Sequence, residues 1–309
     1  MSLNANSGMN KIQGIILPMI TPLVDANTLD CEGTARIVDR SVDAGVAAIF
    51  VLGTTGESQS LPVRLRFEFV ELAAKCISGR VPLLVGITDT SLEDSLALAV
   101  QAKKCGASGV VAAPPYYFPA NQQELILWYT ALADESPLPV YLYNMPSKVK
   151  VFLNAATVVE LSSHPNIVGV KDSSGNQSYF QSLLYHFSGT GFAVYMGPEE
   201  QTAAAVLSGA DGGVNGGANL FPELFVKMYR AASGGNLEET IRLQKRIMYL
   251  SDNLYGLEPG SDASFVKAIK CALQAKGVCS GYLPLPYRAF EGEQEEKVKR
   301  VLETLDDYR

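Results

Sequence analysis

Lys171 closes an apolar run, Asn166-Ile167-Val168-Gly169-Val170-Lys171, and Asp172-Ser173-Ser174-Gly175 follow it. Burying a lysine at the mouth of such a strand strips water from the ammonium and favours the neutral amine. A neutral amine adds to carbonyl carbons and forms a Schiff base. Taken alone, the segment suits a lysine that snorkels to the surface from a strand end rather better; the rest of the chain reverses that balance. Tyr143 ends another apolar run, over residues 139–143. If the two runs are neighbouring strands, their backbones lie about 4.8 Å apart. A phenol beside an amine can then carry protons as a carbinolamine forms and breaks. The alternative for Tyr143 is an aromatic strand end with its hydroxyl in water.

Four further stretches offer polar groups of the right kind. Gly53-Thr54-Thr55-Gly56-Glu57 presents hydroxyls and backbone N–H groups that can hold a carboxylate, although an isolated turn of this composition is more often an ordinary strand-to-helix connection. Pro114-Pro115-Tyr116-Tyr117 and Gly197-Pro198-Glu199-Glu200 each follow an apolar run. Gly212-Gly213-Val214-Asn215-Gly216-Gly217 suggests close backbone approach around a substrate, with phosphate binding as the lesser alternative.

These residues converge only if the elements carrying them are regular. Short apolar runs at 14–17, 48–52, 82–86, 109–113, 139–143, 167–171, 193–196 and 212–214 alternate with amphipathic stretches. The stretches lie near 34–44, 62–78, 92–104, 122–135, 155–162, 177–187, 199–207 and 222–232. Eight strand–helix alternations predict an α/β protein, a closed (β/α)8 TIM barrel, with its site where strands end at the C-terminal mouth. Strands apolar throughout fit a sheet covered on both faces. Gly45, Gly106 and Gly209 stand where helix caps are expected, and Pro62 suits a first helical turn. An open doubly wound sheet would place a glycine-rich turn after its first strand, and Pro18-Met19-Ile20-Thr21-Pro22 stands there instead. Three more helices are expected near 237–255, 263–276 and 293–307. The predicted organisation is a disordered leader over 1–10, a barrel with the site over 11–235, and a C-terminal helical segment over 236–309 packed on the barrel.

Composition narrows the function. A formal charge of −7 argues against a nucleic-acid surface, and no run is long and apolar enough to span a bilayer. The opening residues lack the apolar region of a signal peptide, so cytoplasm is the expected location. Five scattered cysteines form no CxxC pair, and only His164 and His186 are present. Neither a disulfide framework nor a zinc or histidine-triad enzyme is indicated.

Read together, GTTGE, PPYY, YNMPS and GVKDSSGN, in that order, resemble the dihydrodipicolinate synthase / N-acetylneuraminate lyase family of class I pyruvate-dependent aldolases. The resemblance runs from Gly14 to about Ala232. It implies a (β/α)8 barrel with a C-terminal helical segment, in a homo-oligomer, dimer or tetramer. It implies Lys171 as the Schiff-base lysine, Tyr143 as the proton-transfer tyrosine, and Thr54 as the link to a second tyrosine, Tyr117, which reaches into a neighbouring subunit's site. It implies Thr55 as a binder of the pyruvate carboxylate, and Gly197 and Val214 as the lining of the pyruvate pocket. Glu199 and Asn215, placed at strand mouths, are added as substrate-binding candidates. No metal or organic cofactor is expected; the covalent partner is pyruvate on Lys171, and the other partners are a small 2-oxo acid and an aldehyde.

The chain also departs from the synthase branch. Lys148 stands where an arginine grips the aldehyde's carboxylate, and a lysine keeps the charge without the bidentate fork. Val149 and Lys150 replace the usual threonine and glycine, and Asp172-Ser173 replaces glutamate and alanine. Val63, Arg66 and Thr90 occupy the lysine-feedback positions, so no lysine inhibition is expected. The departures favour an aldolase of 2-oxo-3-deoxy sugar acids or related 4-hydroxy-2-oxo acids. The alternatives are 4-hydroxy-tetrahydrodipicolinate synthase, condensing pyruvate with aspartate semialdehyde, and a non-catalytic barrel that binds pyruvate or a sugar acid.

Overall fold

Two glycines let the sheet close on itself. In the computed structural model, which describes residues 11–306, β1 (Gly14–Pro18) pairs with the last barrel strand through Gly14 and Gly212. A Cβ on Gly212 would stand 1.8 Å from the Gly14 carbonyl oxygen, so any side chain there would force the seam open. A small antiparallel hairpin, β2 (Leu23–Asp25) and β3 (Thr28–Leu29), follows β1 and leads into α1 (Cys31–Ala44). The chain then alternates through β4 (Ala48–Val51), α2 (Val63–Ile77), β5 (Leu83–Gly86), α3 (Leu92–Lys104), β6 (Gly109–Ala112) and α4 (Gln122–Glu135). It continues through β7 (Val140–Asn144), a one-turn α5 (Pro146–Val149), α6 (Ala155–Leu161), β8 (Ile167–Asp172) and α7 (Gln177–Phe187). The last units are β9 (Ala193–Met196), α8 (Glu199–Leu207), β10 (Gly212–Val214) and α9 (Pro222–Ser233). Among the described residues, β1 and β4 to β10 form a closed parallel barrel in the order β1-β10-β9-β8-β7-β6-β5-β4. The chain is a (β/α)8 barrel, as its alternation predicts.

Local chemistry sets the helix ends. Asp30 accepts from the Gly33 N–H, Ser91 from Asp94 and Asn176 from Tyr179, and Asn121 with Glu124 forms a capping box. Each satisfies donors that a helix N-terminus leaves unpaired. Gly45 ends α1 at φ 87°, a left-handed conformation that costs glycine little. Pro62 lies just outside α2, one residue before the first turn where it was expected. The hairpin and α5 have no counterpart among the expected elements, because two to four residues cannot carry a periodic signature.

The C-terminal part comprises α10 (Leu237–Leu250), a π-helical turn (Ser251–Tyr255), α11 (Ser264–Ala275) and α12 (Glu293–Asp306). The helix expected to run unbroken to residue 255 thus changes its winding at Ser251. Lys270 of α11 is fully buried; its Nζ lies 2.5 Å from the Glu57 carboxylate and donates to the Tyr282 carbonyl at 2.9 Å. Removing one partner of such a pair would strand a charge and cost about 3–5 kcal/mol. The pair fastens α11 to the turn that carries Thr54 and Thr55. The leader expected over 1–10 and a helix end at 307 fall outside the described residues. No helix among the described residues is long and apolar enough to cross a membrane.

Candidate active site

The register of two strands places the amine and the phenol together. In the β7–β8 ladder Tyr143 faces Lys171 and Asn144 faces Asp172. Side chains alternate across a strand, so the first pair lies on one face and the second on the other. Both Lys171 and Tyr143 are buried. Lys171 Nζ lies 4.1 Å from the centroid of the Tyr143 ring and 5.4 Å from that of Phe50. On the opposite face Asn144 Nδ2 donates to Asp172 Oδ1 at 2.8 Å, while Asn144 Oδ1 accepts from the Leu153 N–H at 3.0 Å. Asp172 also accepts from the Ser174 N–H and hydroxyl, each at 3.1 Å. This clamp locks the backbones behind Tyr143 and Lys171. The sequence reading missed it, although its signal was present: Tyr-Asn and Lys-Asp place one polar residue at the same step beyond each reactive one.

The phenol has its own network. Tyr143 Oη and Thr54 Oγ1 are 3.2 Å apart. Burial alone would push the phenol up; the Lys171 charge and hydrogen bonds with Thr54, Ser173 and Lys171 outweigh it and hold Tyr143 below the ordinary phenol value. Ser173 is therefore part of the cluster. A Cβ on Gly197 would stand 2.0 Å from Ser173 Oγ, so the glycine is what lets that hydroxyl approach. The Thr54-Thr55 turn is braced at both ends. Leu52 (φ 58°) and Glu57 (φ 56°) adopt left-handed backbone conformations uncommon for side chains of their size. Thr21 Oγ1 donates to the Gly56 carbonyl at 2.6 Å. Thr55 is buried within this turn.

A cavity of about 280 Å³ opens beside the cluster, lined by Phe50, Thr54, Tyr116, Tyr143 and Lys148 among others. Lys148 Nζ lies 2.8 Å from Asp262 Oδ2, contributed by the connection before α11. Tyr116, which lines the cavity, and Asp262, remote in sequence, were missed as site residues. A larger cavity of about 780 Å³, lined by Arg40, Lys227 and Arg242 among others, contains none of these groups.

The other candidates are differently placed. Tyr117 is 84% exposed at φ 82°, set edge-on against the exposed Phe118, and forms no hydrogen bond with Thr54 within its own chain. Val214 is buried in β10, in register with Ile16. Glu199 is buried with its carboxylate engaged by protein: Oε2 accepts from the Gly217 N–H at 2.9 Å and Oε1 from the Tyr255 hydroxyl. Burial raises its pKa to about 7 against the pull of those two bonds. Asn215 is buried and donates to Gly197 O (3.2 Å) and Thr202 Oγ1 (2.8 Å). The glycines around it make room for the protein's own groups: a Cβ on Gly213 would meet Asn215 Oδ1 at 2.3 Å, and one on Gly216 would meet the Phe265 ring at 2.2 Å. Close approach in that stretch serves packing, where the sequence suggested substrate.

Comparison with known proteins agrees with the barrel fold. The Dihydrodipicolinate synthetase family matches residues 11–305. A solved dihydrodipicolinate synthase from Bacteroides thetaiotaomicron superposes with a TM-score of 0.92 at 45% identity, covering 96% of this chain and 100% of that one. YagE of Escherichia coli K12, a prophage protein of the dihydrodipicolinic acid synthase family solved with pyruvate, superposes with a TM-score of 0.89 at 29% identity, covering 95% and 98%. Among curated relatives, the probable 2-dehydro-3-deoxy-D-pentonate aldolase YjhH of Escherichia coli is 32% identical over 298 residues, which cover 95% of this chain and 97% of the relative.

Proposed function

The chain belongs to the Dihydrodipicolinate synthetase family of pyruvate-dependent lyases, and from that premise we propose that Lys171 forms the Schiff base of an aldolase acting on a 2-oxo-3-deoxy sugar acid or a related 4-hydroxy-2-oxo acid. The observation that carries the reading is the buried Lys171 amine against the Tyr143 ring, with Thr54 within hydrogen-bond reach of the phenol.

In its neutral form the Lys171 amine attacks C2 of the 2-oxo acid. Tyr143 passes a proton to the carbinolamine oxygen, water leaves, and an iminium remains. The Tyr143 oxyanion then takes the proton of the C4 hydroxyl. The C3–C4 bond breaks, its electron pair moves into the iminium to give an enamine, and the aldehyde departs. Protonation at C3 and addition of water at C2 release pyruvate and restore the amine. The Lys171 charge, then the hydroxyls of Thr54 and Ser173, hold the phenol below its ordinary value, which suits a group that both gives and takes a proton.

Supporting roles follow from position. Thr55, Gly197 and Val214 border the 2-oxo acid, Lys148 stands on the aldehyde side, and Glu199 and Asn215 hold the loops after β9 and β10 in place. Tyr117 completes a relay only from another subunit, so a homo-oligomer, dimer or tetramer, is part of the proposal; its exposure beside Phe118 supports this. The barrel over 11–235 supplies the chemistry and the segment from 236 buttresses it through Lys270. Catalysis needs no metal or organic cofactor in this scheme, and a cytoplasmic setting fits it.

A second reading, condensation of pyruvate with aspartate semialdehyde, is supported by the 45% identity to a dihydrodipicolinate synthase. Borohydride added with pyruvate tests the common step: a reduced adduct on Lys171 is expected, and an unmodified side chain refutes both. Coupled assay of pyruvate release from a panel of 2-oxo-3-deoxy acids, beside condensation with aspartate semialdehyde, separates the two readings.

A further inference from the structure

We propose that Asp262 determines which aldehyde the site accepts, by neutralising Lys148 so that the cavity favours a hydroxylated, uncharged tail over one ending in a carboxylate. The inference rests on the aldolase reading above and specifies its substrate class.

The lining of the cavity carries the argument. Among the described residues that line it, Lys148 is the one charged side chain. The other polar groups are neutral: Thr54, Ser58, Gln59, Thr88, Tyr116 and Tyr143. Hydroxyls and an amide match sugar-like hydroxyls, each able to donate and accept. Lys148 alone would draw a distal anion. Its Nζ, however, lies 2.8 Å from Asp262 Oδ2, and the Asp262 side chain is 83% exposed, so the negative charge stands on the solvent side of the lysine. The hydrogen bond from Lys148, then the charges of Lys148 and Lys150, hold the Asp262 carboxyl below the usual carboxylate range, which keeps it anionic. An incoming carboxylate would have to displace Asp262 or share a compact ammonium with it, and lysine lacks the rigid fork that presents two acceptors with fixed sites. A hydroxylated tail meets no such competitor.

The test uses the full chain. Rates of pyruvate addition to glyceraldehyde and to succinic semialdehyde are compared in the wild type, Asp262→Asn, Lys148→Met and the double variant. The wild type is expected to favour glyceraldehyde. Asp262→Asn should shift the kcat/KM ratio about fivefold toward the semialdehyde, the size expected for one unit charge removed at about 4 Å in solvent. The shift should fall well below that size in the Lys148→Met background, where Asp262 holds no ammonium away from the substrate, and shrink in 1 M salt. The same ratio is read without turnover from the affinity of the borohydride-reduced pyruvate adduct for succinate against erythritol. An adduct that forms while the ratio stays unmoved by Asp262→Asn, or moves equally without Lys148, overturns this inference alone. Failure to form the adduct overturns the aldolase reading and this inference with it.

Discussion

β7 carries two tyrosines two residues apart, on the same face of one strand. Tyr143 stands toward the barrel mouth and Tyr141 toward its base. Both are buried, yet they are displaced in opposite directions. Tyr141 is raised to about 12, by burial first and by the Asp211 carboxylate second. Tyr143 suffers the same burial, and Lys171 with the hydroxyls of Thr54 and Ser173 brings it below the ordinary phenol value. The base is also arranged for packing. A Cβ on Gly109 or on Gly169 would come within 2.9 Å of the Tyr141 ring, so both glycines are notches for it. Asp211 accepts from the Val194 N–H at 2.9 Å and lies 3.3 Å from Lys11 Nζ. Burial is thus common to both ends, and the sign of the neighbouring charge decides whether the phenol is lowered or raised.

That contrast can be broken in stages. Lys171→Ala should abolish the pyruvate adduct and lower turnover by at least about 10⁴-fold; mass spectrometry after borohydride treatment and a coupled pyruvate assay read both. Tyr143→Phe should reduce kcat by about 10²- to 10⁴-fold, while Tyr141→Phe stays within a few-fold of wild type. Equal losses at the two positions would remove the distinction between mouth and base.

Glu199 extends the comparison to a carboxyl at the mouth. Its folded pKa of about 7 exceeds the ordinary glutamate value of 4.5, so its contribution to stability is fully present below pH 4.5 and is lost as pH rises through 7. Denaturant titrations of wild type and Glu199→Gln should therefore move in favour of the glutamine variant between pH 5 and 8, by up to about 3 kcal/mol. A difference independent of pH would contradict the burial argument.

At the base, Gly109→Ala forces a methyl group against the Tyr141 ring and should cost about 1–3 kcal/mol of stability, read as a lower denaturant midpoint, with adduct formation on Lys171 retained. The smallest effect is assigned to Thr54→Val. It removes one hydrogen bond to the phenol and should lower kcat by about tenfold, equivalent to about 1.4 kcal/mol, while ultraviolet titration shows the Tyr143 phenol moving up.

Much of the site was legible because its parts are local. Lys171 and Tyr143 each end an apolar run, and Thr54 and Thr55 lie in a short turn after another, so strand periodicity alone brings them to one mouth. Glu199 and Asn215 share those positions, yet their polar atoms turn to Tyr255, Gly217, Gly197 and Thr202. A position at a strand end specifies the mouth and leaves open which partner a side chain finds there. Tyr117 was visible as a motif, but within the chain it stands exposed beside Phe118.

The order of residues by itself determined the barrel, the pairing of an amine with a phenol, and the family, because continuous apolar strands in strict alternation with helices leave few ways to close a core. Only the tertiary structure decided the charge environment: Asp262 meets Lys148 across 114 positions of chain, Lys270 meets Glu57 across 213, and Asp211 rather than Lys171 faces Tyr141. Electrostatic coupling depends on separation in space and on burial, and neither quantity is written in sequence distance.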